Sequence, residues 1–171
     1  MSVSVSMYQA SVPVFIRGLR VVSALLEKAQ AHVEQDGIVP EIVLCARLAP
    51  DMLDLTAQVQ RASDTSKMSI ERLSGIAAPK FEDNEASFEQ LQERIANTIA
   101  YIDGVSAGQM AGSAQKEVVL NWTDEGKKFS GDDYLLSFAL PNFYFHVAMV
   151  HAILRNNGVA VGKLDYLGPY D

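Results

Sequence analysis

The stretch from Leu135 to Leu154 limits the possible folds more than any other part of the chain. Fifteen of its twenty residues are apolar, and no charged side chain interrupts it. A helix that is apolar nearly all round has to be covered on more than one side. Its length is about that of a bilayer span, which makes it the membrane candidate of the sequence. Against that reading, Ser137, Pro141, Asn142, His146 and His151 lie within it, and Asp132 and Asp133 precede it where an inserted helix would carry basic residues. The expectation is a buried central helix, covered on one side by a bundle interior and on the other by a second subunit.

The remaining sequence supplies helices to build that bundle. From about Ser6 to Gln35, Phe15, Leu19, Val22, Leu25, Leu26 and Ala29 recur at three- and four-residue spacing, the pattern of an amphipathic helix. Asp36-Gly37 stops it, and Pro13 is expected to kink or restart it. Pro40 to Leu48 reads as a short helical connector. Pro50 is expected to open a second long helix, with Asp51 and Asp54 favoured by the helix dipole and Leu55, Val59, Ala62 and Met68 facing inward. A third helix from about Glu85 to Asp103, capped by Asp83 or Asn84, carries Phe88, Leu91, Ile95, Ile99 and Ile102 on one stripe. Between Lys116 and Ser130 the pattern breaks. Val118-Val119-Leu120, a turn at Thr123-Asp124-Glu125-Gly126, and Lys127-Lys128-Phe129 predict a β-hairpin. Ser130 and Asp133 fit a capping box at the head of the last helix, which Gly158 ends. The predicted fold is all-α: four long helices with a small hairpin between the third and fourth, in one domain over residues 1–171.

Composition narrows the function. The 171 residues are 49% hydrophobic and 20% charged, with a net charge of −7. Such a surface repels nucleic acid and anionic lipid, so neither is an expected partner. One cysteine excludes an internal disulfide and any Cys-rich metal site. With no basic leader before the first helix, the cytoplasm is the expected compartment. No Gly-rich phosphate loop, nucleophile elbow or His-Glu-x-x-His motif is present.

Several strings are more specific. Met7-Tyr8-Gln9-Ala10-Ser11-Val12-Pro13-Val14-Phe15, Ala46-Arg47-Leu48-Ala49-Pro50-Asp51-Met52 and Ala139-Leu140-Pro141-Asn142-Phe143-Tyr144-Phe145-His146-Val147 resemble the bacterial domain of unknown function family numbered 1993. The ending Leu154-Arg155-Asn156-Asn157-Gly158-Val159, with Gly162-Lys163-Leu164-Asp165 to Gly168, is similar as well. That family is grouped with the DinB/YfiT-like putative metalloenzymes. The resemblance implies a four-helix bundle, often dimeric. In better-known members it implies a divalent metal held by three histidines, one from the second helix and a His-x-x-x-His pair from the fourth. Some of those relatives are metal-dependent thiol transferases.

Here the matching step on the fourth helix is Asn142 to His146, so a carboxamide stands at the first ligand position. His151 lies about 140° around the helix from His146 and cannot replace it. The second helix holds no histidine; its polar candidates are Asp51, Asp54 and Gln58. A site of His146, Asn142 and Gln58, with Asp51 or Asp54 nearby, would be oxygen-rich and weak, suited to Mg or Mn or to no metal. The alternative is a hydrogen-bonded polar cluster inside the bundle. Cys45 reads as a buried inert thiol, with activation by Arg47 as the other reading. His32 reads as a partly exposed imidazole, Asp132 and Asp133 as dipole complements, and Glu82, Asp83, Glu85, Glu89 and Glu93 as a solvated face. Phe143, Tyr144 and Phe145 point to different sides of one helix, so one of them is expected to face a partner. Asn121-Trp122-Thr123 matches a glycosylation acceptor that a cytoplasmic chain would not use. The tail residues Leu164, Tyr166, Leu167 and Tyr170 either pack back or reach across a dimer.

Two functions remain open. One is a dimeric small-molecule-binding or interaction module that is non-catalytic or weakly metal-binding, paired through the apolar fourth helix. The other is a divergent divalent-metal-dependent transferase of thiol or small groups.

Overall fold

Helix α1 (Met7–Asp36) begins where Ser6 and Gln9 exchange side-chain-to-backbone hydrogen bonds and ends at Gly37, whose φ of 62° suits glycine. The structure is a computed structural model describing residues 5–121 and 126–169. Pro13 does not restart α1, which runs through it unbroken. After the short α2 (Pro40–Leu44), the chain turns through Pro50 and Asp51 without entering a helix. Helix α3 (Leu55–Ser74) starts later than expected because Asp54 is its N-cap, accepting from the Ala57 amide at 2.9 Å. The Leu55 amide is committed to the Ala46 carbonyl at 2.9 Å, which closes the loop before it.

Helix α4 (Phe88–Asp103) is capped by Ser87 rather than by Asp83 or Asn84. The Asp83 and Glu85 carboxylates are bonded to Arg94 instead. The expected hairpin is present: β1 (Val118–Leu120) pairs antiparallel with β2 (Lys127–Phe129), Val118 opposite Phe129. Residues 122–125 of its turn, and with them most of the Asn121-Trp122-Thr123 string, lie outside the described residues.

Helix α5 (Gly131–Asn156) is the apolar one. The Ser130–Asp133 capping box does not form, because the Ser130 hydroxyl donates to Asp132. Gly131 is required there: a Cβ would stand 1.8 Å from the Ser113 carbonyl oxygen. From Tyr134 to Ala139 the helix widens to π geometry. That turn lies just before Pro141, whose ring would otherwise press on the carbonyl four residues back.

The core joins Phe15, Leu19 and Leu25 of α1 with Val59 and Ile70 of α3, Leu91 and Ile95 of α4, and Phe143 and Val147 of α5, all at most 1% exposed. Gly18 lets α1 approach α5, since a Cβ there would meet Phe143 at 2.4 Å. Met68, expected inside, is 38% exposed. It lies two residues before the inward-facing Ile70, on a different side of α3.

The tail packs back. In α6 (Lys163–Leu167), Asp165 meets Lys28 at 2.6 Å, and Arg17 donates to the Leu167 and Pro169 carbonyls. Tyr170 lies outside the described residues. Two helices, not one, are long and apolar enough to cross a membrane by length and composition, α1 as well as α5. In their most apolar windows α1 is 56% buried and α5 only 33%. The helix expected to be enclosed is therefore the barer of the two. One side of α5 enters the core, and Leu136 and Phe145 remain 62% and 50% exposed on it.

Candidate functional site

Between α3 and α5 the two helices exchange polar contacts at intervals along their length. Tyr134 meets Ser69, Asn142 donates to Thr65 at 3.1 Å, and His146 meets Gln58 at 2.8 Å. The helices run antiparallel, so Gln58, Thr65 and Ser69 along α3 meet His146, Asn142 and Tyr134 in reverse order along α5. Of the four ligand candidates that the sequence suggests, His146, Asn142 and Gln58 thus lie along one seam. The fourth, Asp51, is exposed in the turn before α3 and makes no hydrogen bond or ion pair to the others among the described residues. Asp54 caps α3 and lies 3.5 Å from Arg47.

The chemistry of His146 follows from Gln58. The Gln58 amide nitrogen donates to the Leu53 carbonyl at 3.3 Å, which turns its oxygen toward the imidazole. Nδ1 must then carry the proton, and Nε2 keeps its lone pair with no protein partner among the described residues. Burial, helped by the charge of Arg61, lowers the His146 pKa to about 4. The ring is neutral in ordinary conditions: an acceptor or weak base with its orientation fixed.

Beside the seam a cleft of about 500 Å³ opens between α3, β1 and α5. Arg61, Thr65, Met68 and Arg72 of α3 form one wall, at the four-, three- and four-residue steps of one helix face. Tyr134, Phe138 and Asn142 of α5 form the other, and Val119 to Asn121 of the hairpin close the end. Arg72 donates to the Tyr134 hydroxyl at 2.9 Å, with its guanidinium 5.7 Å from the ring centre. Arg61 and Arg72 were missed in the sequence, although their spacing with Gln58, Thr65 and Ser69 was there to be read as a polar stripe beside the apolar one.

Comparison with known proteins places the chain. The model of the family described as "Domain of unknown function (DUF1993)" matches residues 7–167. The chain belongs to DUF1993. A solved structure, the crystal structure of a DinB family member protein from Shewanella denitrificans at 1.83 Å resolution, superimposes with a TM-score of 0.90 at 38% sequence identity. The alignment covers 96% of this chain and 94% of that one. No curated protein matches. The DUF1993 chain is accordingly an all-α, DinB-like bundle with a small hairpin.

Three histidines around a metal are what the wider DinB-like grouping implies, and the residues of this DUF1993 chain do not fit that group. Among the described residues no three His, Cys, Asp or Glu side chains come together. Gln58 has its oxygen committed to His146, which leaves one imidazole nitrogen and the Asn142 oxygen. Two neutral donors do not make a tight site for a transition metal.

Other candidates resolve simply. Cys45 is exposed, not buried, because it stands at the end of α2, where Val43 and Leu44 are the residues turned inward. His32 is partly buried and lies 3.2 Å from Asp36. Asp132 and Asp133 do occupy the first turn of α5. Of the acidic run, Glu82, Asp83, Glu89 and Glu93 are exposed as expected, Asp83 meeting Arg94 at 2.6 Å from the surface, whereas Glu85 turns inward to bind Arg94 at 2.9 Å. Phe143 is in the core, Tyr144 half-buried and Phe145 the one turned outward.

Proposed function

We propose that this DUF1993 protein is a small-molecule-binding module that works as a homodimer and holds no metal tightly. The observation that carries the reading is the donor set on the α3–α5 seam, where one neutral imidazole stands in place of a triad beside an open, mixed polar and apolar cleft. Its test is metal analysis of untagged protein. Substoichiometric metal and a melting temperature indifferent to EDTA are expected. Stoichiometric zinc, nickel or manganese that disappears in His146→Ala would overturn it.

A metal-dependent transferase is the second reading, favoured by the lone pair left on His146 Nε2 and by Gln58 orienting the ring as a ligand's partner does. The same metal analysis decides between the two.

Pairing through α5 is supported by its outer face. Leu136, Leu140, Tyr144, Ala148 and Ala152 recur every four residues beside the exposed Phe145, with no charge between Asp133 and Arg155. Those two charges stand eleven residues either side of Tyr144. An antiparallel pairing of two copies centred there would bring each Asp133 to an Arg155 of opposite sign. Light scattering at micromolar concentration should give a dimer mass, and Phe145→Lys a monomer. A monomeric wild-type protein rejects the pairing.

A further inference from the structure

We propose that the cleft between α3, β1 and α5 binds a small molecule bearing one carboxylate and an apolar body, with Arg72 taking the carboxylate and Arg61 as the second cation. The inference rests on the reading of this seam as a ligand site and adds the class of ligand.

Charge is the first argument. On a chain with a net charge of −7, two arginines about three turns apart along one face of α3, neither closely paired with a carboxylate among the described residues, run against the field of the whole molecule. Arg72 has no ion pair among the described residues, and its guanidinium donates to the Tyr134 hydroxyl. That hydroxyl is also 2.9 Å from the Ser69 hydroxyl, so the guanidinium is held in place while most of its five N–H donors stay unspent. Arg61 approaches Asp64 only to 3.7 Å, and Asp64 is already engaged by Arg94 at 2.8 Å and Lys67 at 3.0 Å. The one carboxylate lining the cleft among the described residues is therefore balanced from behind.

Shape and polarity supply the second argument. A held guanidinium offers two parallel N–H groups, the match for a planar carboxylate. Phe138 lines the same cleft, with Met68 and Val119 both 38% exposed at the rim. Those apolar side chains gain from being covered, which a bare inorganic anion cannot do. The volume of about 500 Å³ is that of a small-molecule pocket.

The test is calorimetric titration of the full chain with hexanoate and phenylacetate, each beside its neutral amide, and with inorganic phosphate. The acids should bind with dissociation constants below about 1 mM, and the amides about tenfold or more weaker. Arg72→Lys, which keeps the charge and loses the fork, should cost about tenfold, and Arg61→Gln several-fold, with melting curves unchanged within a few degrees. Arg72→Met should abolish binding; if that variant does not fold, Arg72→Lys and Arg61→Gln carry the test. No binding of either acid up to about 10 mM overturns the proposal. So does an amide that binds as tightly as its acid, a phosphate that binds as well as the acids, or affinity unmoved by the arginine variants. Neutral amides binding in the same cleft would remove the carboxylate claim and leave the binding-module reading standing. Stoichiometric metal lost in His146→Ala would remove that reading itself.

Discussion

Cations lie on two sides of α3 and are treated in opposite ways. Toward α4, Arg94 is 1% exposed and meets Asp64, Asp83 and Glu85 at 2.6 to 2.9 Å, with the Phe81 ring 4.9 Å away. Toward α5, Arg61 and Arg72 line an open cleft and share, between them, a tyrosine hydroxyl and a carboxylate that is already occupied. A buried cation ringed by carboxylates has its charge spent on architecture, tying the loop before α4 to α3. A cation held by neutral groups at the edge of a cleft still has its charge to offer. The difference separates structure from function here better than residue type does, since both sides use arginine.

Removing the structural charge should have the largest effect. Arg94→Met leaves three carboxylates facing one another and is expected to cost about 3–5 kcal/mol, toward the lower end because Asp83 is 41% exposed and can turn to water. Urea denaturation measures it. Arg72→Met should cost about 1 kcal/mol by the same assay, the value of its hydrogen bond to Tyr134. Equal losses would erase the distinction between the two sides.

Acid should weaken the fold in two successive pH windows, one from each side. His146 is held neutral with its pKa lowered to about 4, while in the unfolded chain it takes a proton below about 6.5. The unfolded state binds more protons in that window, so stability falls as pH drops from about 6.5 to about 4. His146→Gln should flatten this part of the profile. Burial raises the Glu85 pKa, but hydrogen bonds from Arg94 and Gln60 outweigh it and hold the carboxyl below its usual 4.5. Its contribution is complete above that value and is lost as pH falls through the lowered one, and Glu85→Gln should remove this later loss. A single acid transition unchanged by either variant would show that the two sides do not titrate separately.

How far each side was legible depends on how local its cause is. Helix periodicity and glycine stops are written in a few consecutive residues, so the four long helices, the hairpin strands and the left-handed Gly37 were readable. The start of α4 was misplaced because its capping residue was decided elsewhere: Asp83 was spent on Arg94, eleven residues away. At the site, the family resemblance drew attention to His146 and Asn142, and the contact of His146 with Gln58 spans 88 residues. Arg61 and Arg72 could be seen on one helix face, but it is the assembled surroundings that leave Arg72 without a carboxylate among the described residues and Arg61 with one already engaged. No pattern within α3 encodes it.

Tyr134→Phe tests the seam itself. It removes the hydroxyl that joins Ser69 to Arg72 and should cost about 1 kcal/mol, with the ring still stacked near Phe138 at 5.9 Å. A carboxylate ligand should then bind more weakly, because the guanidinium is no longer held before the ligand arrives.

The smallest change in stability should come from Arg61→Gln, and it is the most discriminating. Arg61 is 54% exposed and 3.7 Å from Asp64, so its loss should alter stability by about 0.5 kcal/mol or less. Its charge nevertheless reaches His146, where it adds to burial in lowering the pKa. Taking the guanidinium away leaves burial in place, so the pKa should rise from about 4 yet stay below 6.5, as imidazole chemical shifts followed against pH would report. A rise without a stability change means that Arg61 acts on the cleft through its field alone. An unmoved pKa would mean that the charge is screened before it reaches the imidazole, and the contrast with the closed α4 side would then rest on Arg72 only.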